Sequence, residues 1–223
     1  MSVLINNMYK LVAFDLDGTI LNTLDDLCDS VNYVLKEFNF PTRTLDEVRK
    51  FVGNGVLKLI ERAVPTNTSE EVILQVFNRF SKYYLTHSNI KTAPYDGVID
   101  LLKELKNRGI KIAVVSNKIH PAVVSLSEYY FPGLVDFALG DDPIRPKKPN
   151  PEMLEYALEQ LNVTKEETIY VGDSEVDIET AVNTGVNYIS VDWGFKTKEF
   201  LIEHGSVDIA STMNELLEKI INC

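Results

Sequence analysis

Short apolar runs separated by helix-length segments dominate this chain, and a chain so patterned has few ways to fold. Residues 10–15 (KLVAFD) form a run rich in strand formers that stops at Asp17-Gly18. Runs of the same kind recur at 110–116, 135–140, 168–172 and 187–191, with a weaker one at 207–210. Between them, Val98, Leu101, Leu102 and Leu105 follow helical spacing, and Gly109 supplies the stop. Residues 151–161 open on a proline, 175–184 close on Gly185, and 213–221 give a last helix. Strands that are apolar almost throughout, alternating with helices, predict an α/β fold with a parallel sheet covered on both faces.

Residues 23–87 break that rhythm. Four helical patterns, at 24–38, 45–51, 56–63 and 69–86, follow one another with no strand between them. A single crossover needs far less chain, so the pattern predicts a small four-helix domain inserted after the first strand. The expected organisation is a core of residues 1–22 and 91–223 with a helical domain at 23–90.

The 223 residues carry 33 Asp and Glu against 22 Lys and Arg, a formal net charge of −11. That balance argues against partners such as nucleic acid or an anionic membrane. It also means that an anionic substrate must be attracted by a metal or by local cations. With only Cys28 and Cys223, no disulfide framework is expected. The first ten residues show no basic stretch leading into a long apolar run, and no segment approaches the roughly 20 apolar residues of a membrane span. The expected location is therefore the cytoplasm.

In open parallel sheets, ligands bind beyond the carboxyl ends of the strands. The first strand ends in Asp15-Leu16-Asp17-Gly18-Thr19, the second in Ser116-Asn117-Lys118, the fourth in Gly172-Asp173-Ser174-Glu175-Val176-Asp177. Lys147 and Lys148 precede Pro149 ahead of the fourth strand. Each piece alone has a plain explanation: Asp-x-Asp-Gly as a turn, Asp173 or Ser174 as a helix cap, Lys148 as a solvated lysine. In conjunction they fall in order at one edge of the sheet. Crowded carboxylates repel one another, and a divalent cation resolves the repulsion. Oxygen-only ligands beside a phosphate favour Mg²⁺ over zinc. The metal, Lys148, the Ser116 hydroxyl and backbone N–H groups together suit a phosphoryl group. One carboxylate can then attack phosphorus, and a second can protonate the leaving oxygen and later deprotonate a water.

These four ordered motifs resemble those of the haloacid dehalogenase superfamily of phosphatases across essentially the whole chain. Phe14-Asp15-Leu16-Asp17-Gly18-Thr19-Ile20-Leu21 resembles the first motif, Val114-Val115-Ser116-Asn117-Lys118 the second, Lys148-Pro149-Asn150-Pro151 the third and residues 172–177 the fourth. The resemblance implies a Rossmann-like parallel core, with the helical insert as a first-type cap. It implies Asp15 as nucleophile and Asp17 as general acid and then base. Ser116 and the Asn117 backbone would bind phosphoryl oxygens, and Lys148 would neutralise charge. Mg²⁺ would be held by the Asp15 side chain, the Asp17 carbonyl and the Asp173 side chain, with Asp177 in support. Glu175 reads as helix surface, a metal role being the alternative. Asp17 separates reactions within the superfamily: the dehalogenases and the phosphonatase-like branch lack an acid there, so phosphate ester or anhydride chemistry is favoured.

Within the superfamily, the cap segment 48–56, with Gly53-Asn54-Gly55, resembles the cap loop of phosphoglycolate phosphatases, and residues 94–98 and Ser116-Asn117-Lys118 also resemble that subgroup. Gly53 and Gly55 either let backbone approach a small substrate or merely link two cap helices. Ile119 departs from the proline common in that subgroup. Arg49, Lys50 and Lys118 are candidate contacts for a substrate carboxylate. Phe77, Phe80, Tyr83 and Tyr84 read as helix packing, while Trp193 and Phe195 lie near the site entrance or only pack. The implied activity is Mg²⁺-dependent hydrolysis of a small phosphorylated metabolite, 2-phosphoglycolate first, by a monomer or homodimer. Inorganic pyrophosphate hydrolysis, a sugar-phosphate mutase and a non-catalytic binding protein are the alternatives. The mutases typically differ in the second and fourth motifs, and a binding protein would be expected to have lost Asp15, Asp17, Lys148 or Asp173.

Overall fold

The computed structural model describes residues 9–222. Its centre is a six-stranded sheet in the order β5-β4-β1-β6-β7-β8, every pairing parallel. The strands are β1 (Leu11–Phe14), β4 (Lys111–Ile119), β5 (Phe137–Asp141), β6 (Thr168–Gly172), β7 (Asn187–Val191) and β8 (Ile209–Ala210). The chain builds outward from β1 to β4 and β5, then returns to build β6, β7 and β8 on the other side. The strand ends around β1 therefore form the crevice where such sheets place ligands.

Successive side chains of β1 enter opposite layers, as the pleat requires. Val12 and Phe14 pack with residues of α5 (Val98–Asn107), α6 (His120–Tyr130) and α10 (Met213–Ile221). Leu11 and Ala13 pack with residues of α7 (Glu152–Leu161) and α8 (Glu175–Thr184). All four β1 residues are fully buried, which is why the strand reads as continuously apolar. Two helices carry no clear mark in the sequence: α6, which begins at His120-Pro121 directly after a strand, and the six-residue α9 (Lys198–Glu203).

The four expected helices of the insert are α1 (Leu24–Glu37), α2 (Leu45–Phe51), α3 (Val56–Ala63) and α4 (Glu70–His87). They enclose a core of their own, with Val31, Leu35, Ile60, Val76, Phe80 and Tyr84 at its centre. Thr44 and Glu47 form a reciprocal capping box at the start of α2. The two chain crossings into this insert pair with each other as a two-residue antiparallel ladder, β2 (Leu21–Asn22) on β3 (Ala93–Pro94). Among the described residues, no helix is long and apolar enough to cross a membrane.

One buried carboxylate fastens the crossing. Asp26, on the first turn of α1, accepts the backbone N–H groups of Ile90, Lys91 and Thr92 at 3.0, 2.9 and 2.8 Å, and the Thr92 hydroxyl at 2.8 Å. Asp26→Ala leaves those donors without their acceptor and is expected to destabilise the protein by about 3 kcal/mol. A urea unfolding midpoint unchanged from wild type would refute that assignment.

Candidate active site

β4 runs further than the sequence suggests. Ser116, Asn117 and Lys118 lie inside it, and the pairing of Val115 with Leu139 and of Ile119 with Asp141 forces a bulge between them. A bulge turns side chains out of the regular alternation. Here Ser116, Asn117 and Lys118 all line one cavity with Asp15, Asp17, Lys148 and Asp173. Its opposite wall comes from the insert: Leu27, Val52, Gly53, Gly55, Val56, Leu59 and Tyr84, with Phe195 and Lys196 from the loop after β7. The space available to water-sized occupants is about 50 Å³.

Lys148 is the hub of the core side. Its Nζ donates to Asp15 Oδ1 at 2.9 Å, Asp177 Oδ1 at 2.7 Å and Tyr170 Oη at 2.7 Å, using all three donors. Tyr170 in turn donates to the Val115 carbonyl at 2.9 Å. The second oxygen of Asp177 accepts the Ser174 hydroxyl at 2.6 Å and its backbone N–H at 3.1 Å, which caps α8. Burial works against the charge on Lys148, but Asp15, Asp177 and Tyr170 outweigh it, so the ammonium is held well above its ordinary pKa.

Asp173 occupies a seat made by glycines. A Cβ on Gly18, whose φ is +86°, would fall 2.3 Å from Asp173 Oδ2, and one on Gly194 would fall 2.4 Å from Asp173 Cβ. Asp173 Oδ2 accepts the Phe195 N–H at 2.7 Å. Carboxylate oxygens of Asp15, Asp173 and Asp177 all lie within 4.8 Å of one another, and all three residues are buried. Burial, with the neighbouring carboxylates adding to it, pushes Asp173 well above the usual carboxylate range. Asp15 is raised to about 6, chiefly by burial and against the pull of Lys148. Three buried carboxylates around one ammonium, with oxygen donors only, fit a hard divalent cation.

Asp17 faces elsewhere. Its Oδ1 accepts the Thr23 hydroxyl at 2.6 Å and Lys118 Nζ at 2.8 Å, so its carboxylate stands outside the acidic cluster. Lys118 Nζ also donates to the Tyr84 hydroxyl, which joins the last helix of the insert to the sheet edge. Tyr84 therefore does more than the helix packing expected of it. A fully buried tyrosine needs a partner for its hydroxyl, and that was the available signal for both Tyr84 and Tyr170.

Other expected positions divide. Asn117 donates its side-chain amide to the Lys148 carbonyl at 2.9 Å. Gly53 and Gly55 line the cavity, whereas the side-chain Oδ1 of Asn54 accepts Arg62 Nη2 at 2.7 Å. Arg49 and Lys50 are exposed and lie outside the lining. Phe195 lines the cavity, and Trp193 packs on the sheet and donates to the Thr19 carbonyl at 3.1 Å. Glu175 is half-buried, 4.0 Å from where a Cβ on Gly53 would stand, and so is not simply helix surface.

Asp15 gives a test of this electrostatic picture. Its carboxyl ordinarily loses its proton near 3.8 but holds it to about 6 in the fold. Ionisation therefore costs stability progressively above about pH 4, and the whole cost is present above pH 6. With chelator present, Asp15→Asn is expected to be more stable than wild type at pH 7, with the gap closing by pH 4. Equal urea midpoints at both pH values would contradict it.

The comparisons agree with this geometry. The family model described as haloacid dehalogenase-like hydrolase matches residues 12–191. A phosphoglycolate phosphatase of Colwellia psychrerythraea is 32% identical over 93% of this chain and 95% of its own. One from Aquifex aeolicus is 32% identical over 83% of this chain and 86% of its own. A crystal structure from Lactobacillus delbrueckii subsp. bulgaricus, provisionally named a phosphoglycolate phosphatase, superposes with a TM-score of 0.91. It is 36% identical and covers 96% of this chain and 98% of that one. The expected parallel core, its helical insert and the family resemblance are thus borne out, and the chain belongs to the haloacid dehalogenase-like hydrolases, as a phosphatase.

Proposed function

We propose that this phosphatase hydrolyses a small phosphomonoester, 2-phosphoglycolate above others, through an aspartyl-phosphate on Asp15. The observation that carries the reading is the placement of Asp15 against Lys148, 2.9 Å apart, at the floor of a cavity that Ser116 and Asn117 also line. In this reading Asp15 attacks phosphorus, and the bond from phosphorus to the ester oxygen breaks. Asp17 gives its proton to that leaving oxygen, then takes one from the water that attacks the acyl phosphate. Phosphate leaves, and the Asp15 carboxylate is restored. Lys148 keeps Asp15 in place throughout and offsets the charge of the incoming phosphoryl group. The Ser116 hydroxyl and the Asn117 backbone orient its oxygens.

Asp15, Asp173 and the Asp17 carbonyl are the groups we assign to Mg²⁺, as the motif resemblance implies, while Asp177 is bound to Lys148 through one oxygen and to Ser174 through the other. When bound, the cation supplies positive charge that draws the phosphoryl group in and stabilises the charge developing on it. Asp177 is then a supporting group that fixes Lys148.

A cavity walled by the sheet edge on one side and by the insert on the other supports a substrate enclosed between them. Residues 23–90 would act as a cap over that space, with Gly53 and Gly55 bringing backbone close to the substrate and Asn54 bracing the loop through Arg62. The relatives named phosphoglycolate phosphatases point the same way.

The test is phosphate release from 2-phosphoglycolate, pyrophosphate, hexose phosphates and nucleoside monophosphates, with Mg²⁺ and with chelator. Phosphoglycolate is expected to lead, chelator to abolish release, and Asp15→Asn to lower it by at least about 10³-fold with the fold intact. Normal turnover in Asp15→Asn would overturn the mechanism, and equal turnover across the panel would overturn the substrate.

A further inference from the structure

Lysine side chains at 118, 148 and 196 line the cavity, and their partners differ. Lys148 is fully engaged by Asp15, Asp177 and Tyr170. Lys196 is half-buried and donates to the Val52 carbonyl of the insert at 3.3 Å. Lys118 is 4% exposed and touches Asp17 and Tyr84, so two of its three donors are placed. Arg49 and Lys50, the other two candidates read from the sequence, are exposed and do not line the cavity.

We infer that Lys118 is the specificity residue for substrates bearing a carboxylate next to the phosphate ester, and that by taking that carboxylate it releases Asp17. This rests on the phosphatase reading above and deepens it. A buried ammonium must keep an anion beside it, and Asp17 is the one it has here. Asp17 in its assigned role must face the leaving oxygen. A carboxylate one carbon away from that oxygen then lies beside Asp17, where Lys118 already reaches at 2.8 Å. Lys118 can exchange one carboxylate for the other with little movement, and Asp17 Oδ1 keeps only Thr23. A substrate with a neutral group at that position offers no such exchange and leaves Asp17 tied. Tyr84 holds the ammonium from the insert side, so the device needs the insert against the sheet.

The measurement compares kcat/KM for 2-phosphoglycolate and 2-hydroxyethyl phosphate, which both leave through a primary O–CH2 oxygen and differ in carboxylate against hydroxymethyl. Wild type is expected to prefer the carboxylate about 100-fold, and Lys118→Gln to reduce that ratio to a few-fold. The ratio is taken on one preparation, so partial unfolding cancels. If Lys118→Gln shows no turnover, thermal shift decides: glycolate with phosphate should raise the wild-type Tm more than ethylene glycol with phosphate, and the difference should vanish in the variant. A wild-type ratio near one, a ratio preserved in Lys118→Gln, a glycolate shift preserved there, or a collapse in Lys196→Gln instead would each overturn the inference alone. Failure to hydrolyse either ester would overturn the phosphatase reading along with it.

Discussion

A single ammonium group among buried carboxylates sets the terms for the catalytic edge of this protein. Lys148 reaches Asp15 from one strand end and Asp177 from the helix after another, and Tyr170 closes the remaining donor. Charges this well buried are tolerated only when their partners are fixed in place. The sheet does that fixing. β1 lies between β4 and β6 in exact-length parallel register, so the ends carrying Asp15 and Asp173 emerge side by side. Burial is what chiefly lifts Asp15 and Asp173, and the carboxylate repulsion that one ammonium leaves unbalanced adds to it. A site with that imbalance is built to take up positive charge.

The second constraint is steric. Asp173 and the loops beside it meet at distances that no Cβ could tolerate, at Gly18 and Gly194 alike. The same turn that lets Gly18 adopt its left-handed conformation also makes room for the acidic group of a different strand. A glycine in the first motif is therefore answering to the fourth, and the two cannot vary independently.

Much of this was legible in the sequence because it is local. Strands buried on both faces read as apolar runs, and motif residues at strand ends follow from where each run stops. The helices of the insert carry their own periodicity and caps. What was hidden depends on partners far along the chain. β4 passes through Ser116, Asn117 and Lys118 only because β5 pairs with Ile119 beyond the bulge. β2 and β3 are two residues each and exist only as a pair. Helix α6 starts without a side-chain cap directly from a strand, and its apolar residues are spread too evenly to mark a face. Tyr84 looks like one more aromatic on an apolar stripe until Lys118 is brought beneath it from the far side of the insert. Asp17 and Thr23 are six residues apart, yet the turn needed to join their side chains had no signature of its own.

The two-residue ladder between β2 and β3 has a consequence for how such a chain can change. Because the outgoing and returning crossings are hydrogen-bonded neighbours, and Asp26 binds the returning one again, the ends of the insert are held together by contacts next to the sheet. To the sheet, the segment between β2 and β3 is a closed loop whose ends already meet. The entropic cost of closing a loop grows only logarithmically with its length. Lengthening, shortening or exchanging the helices beyond that junction thus imposes little on the folding of the core. The junction separates the part of the chain that must stay constant, to keep its charges in register, from a part free to be rewritten around a different substrate.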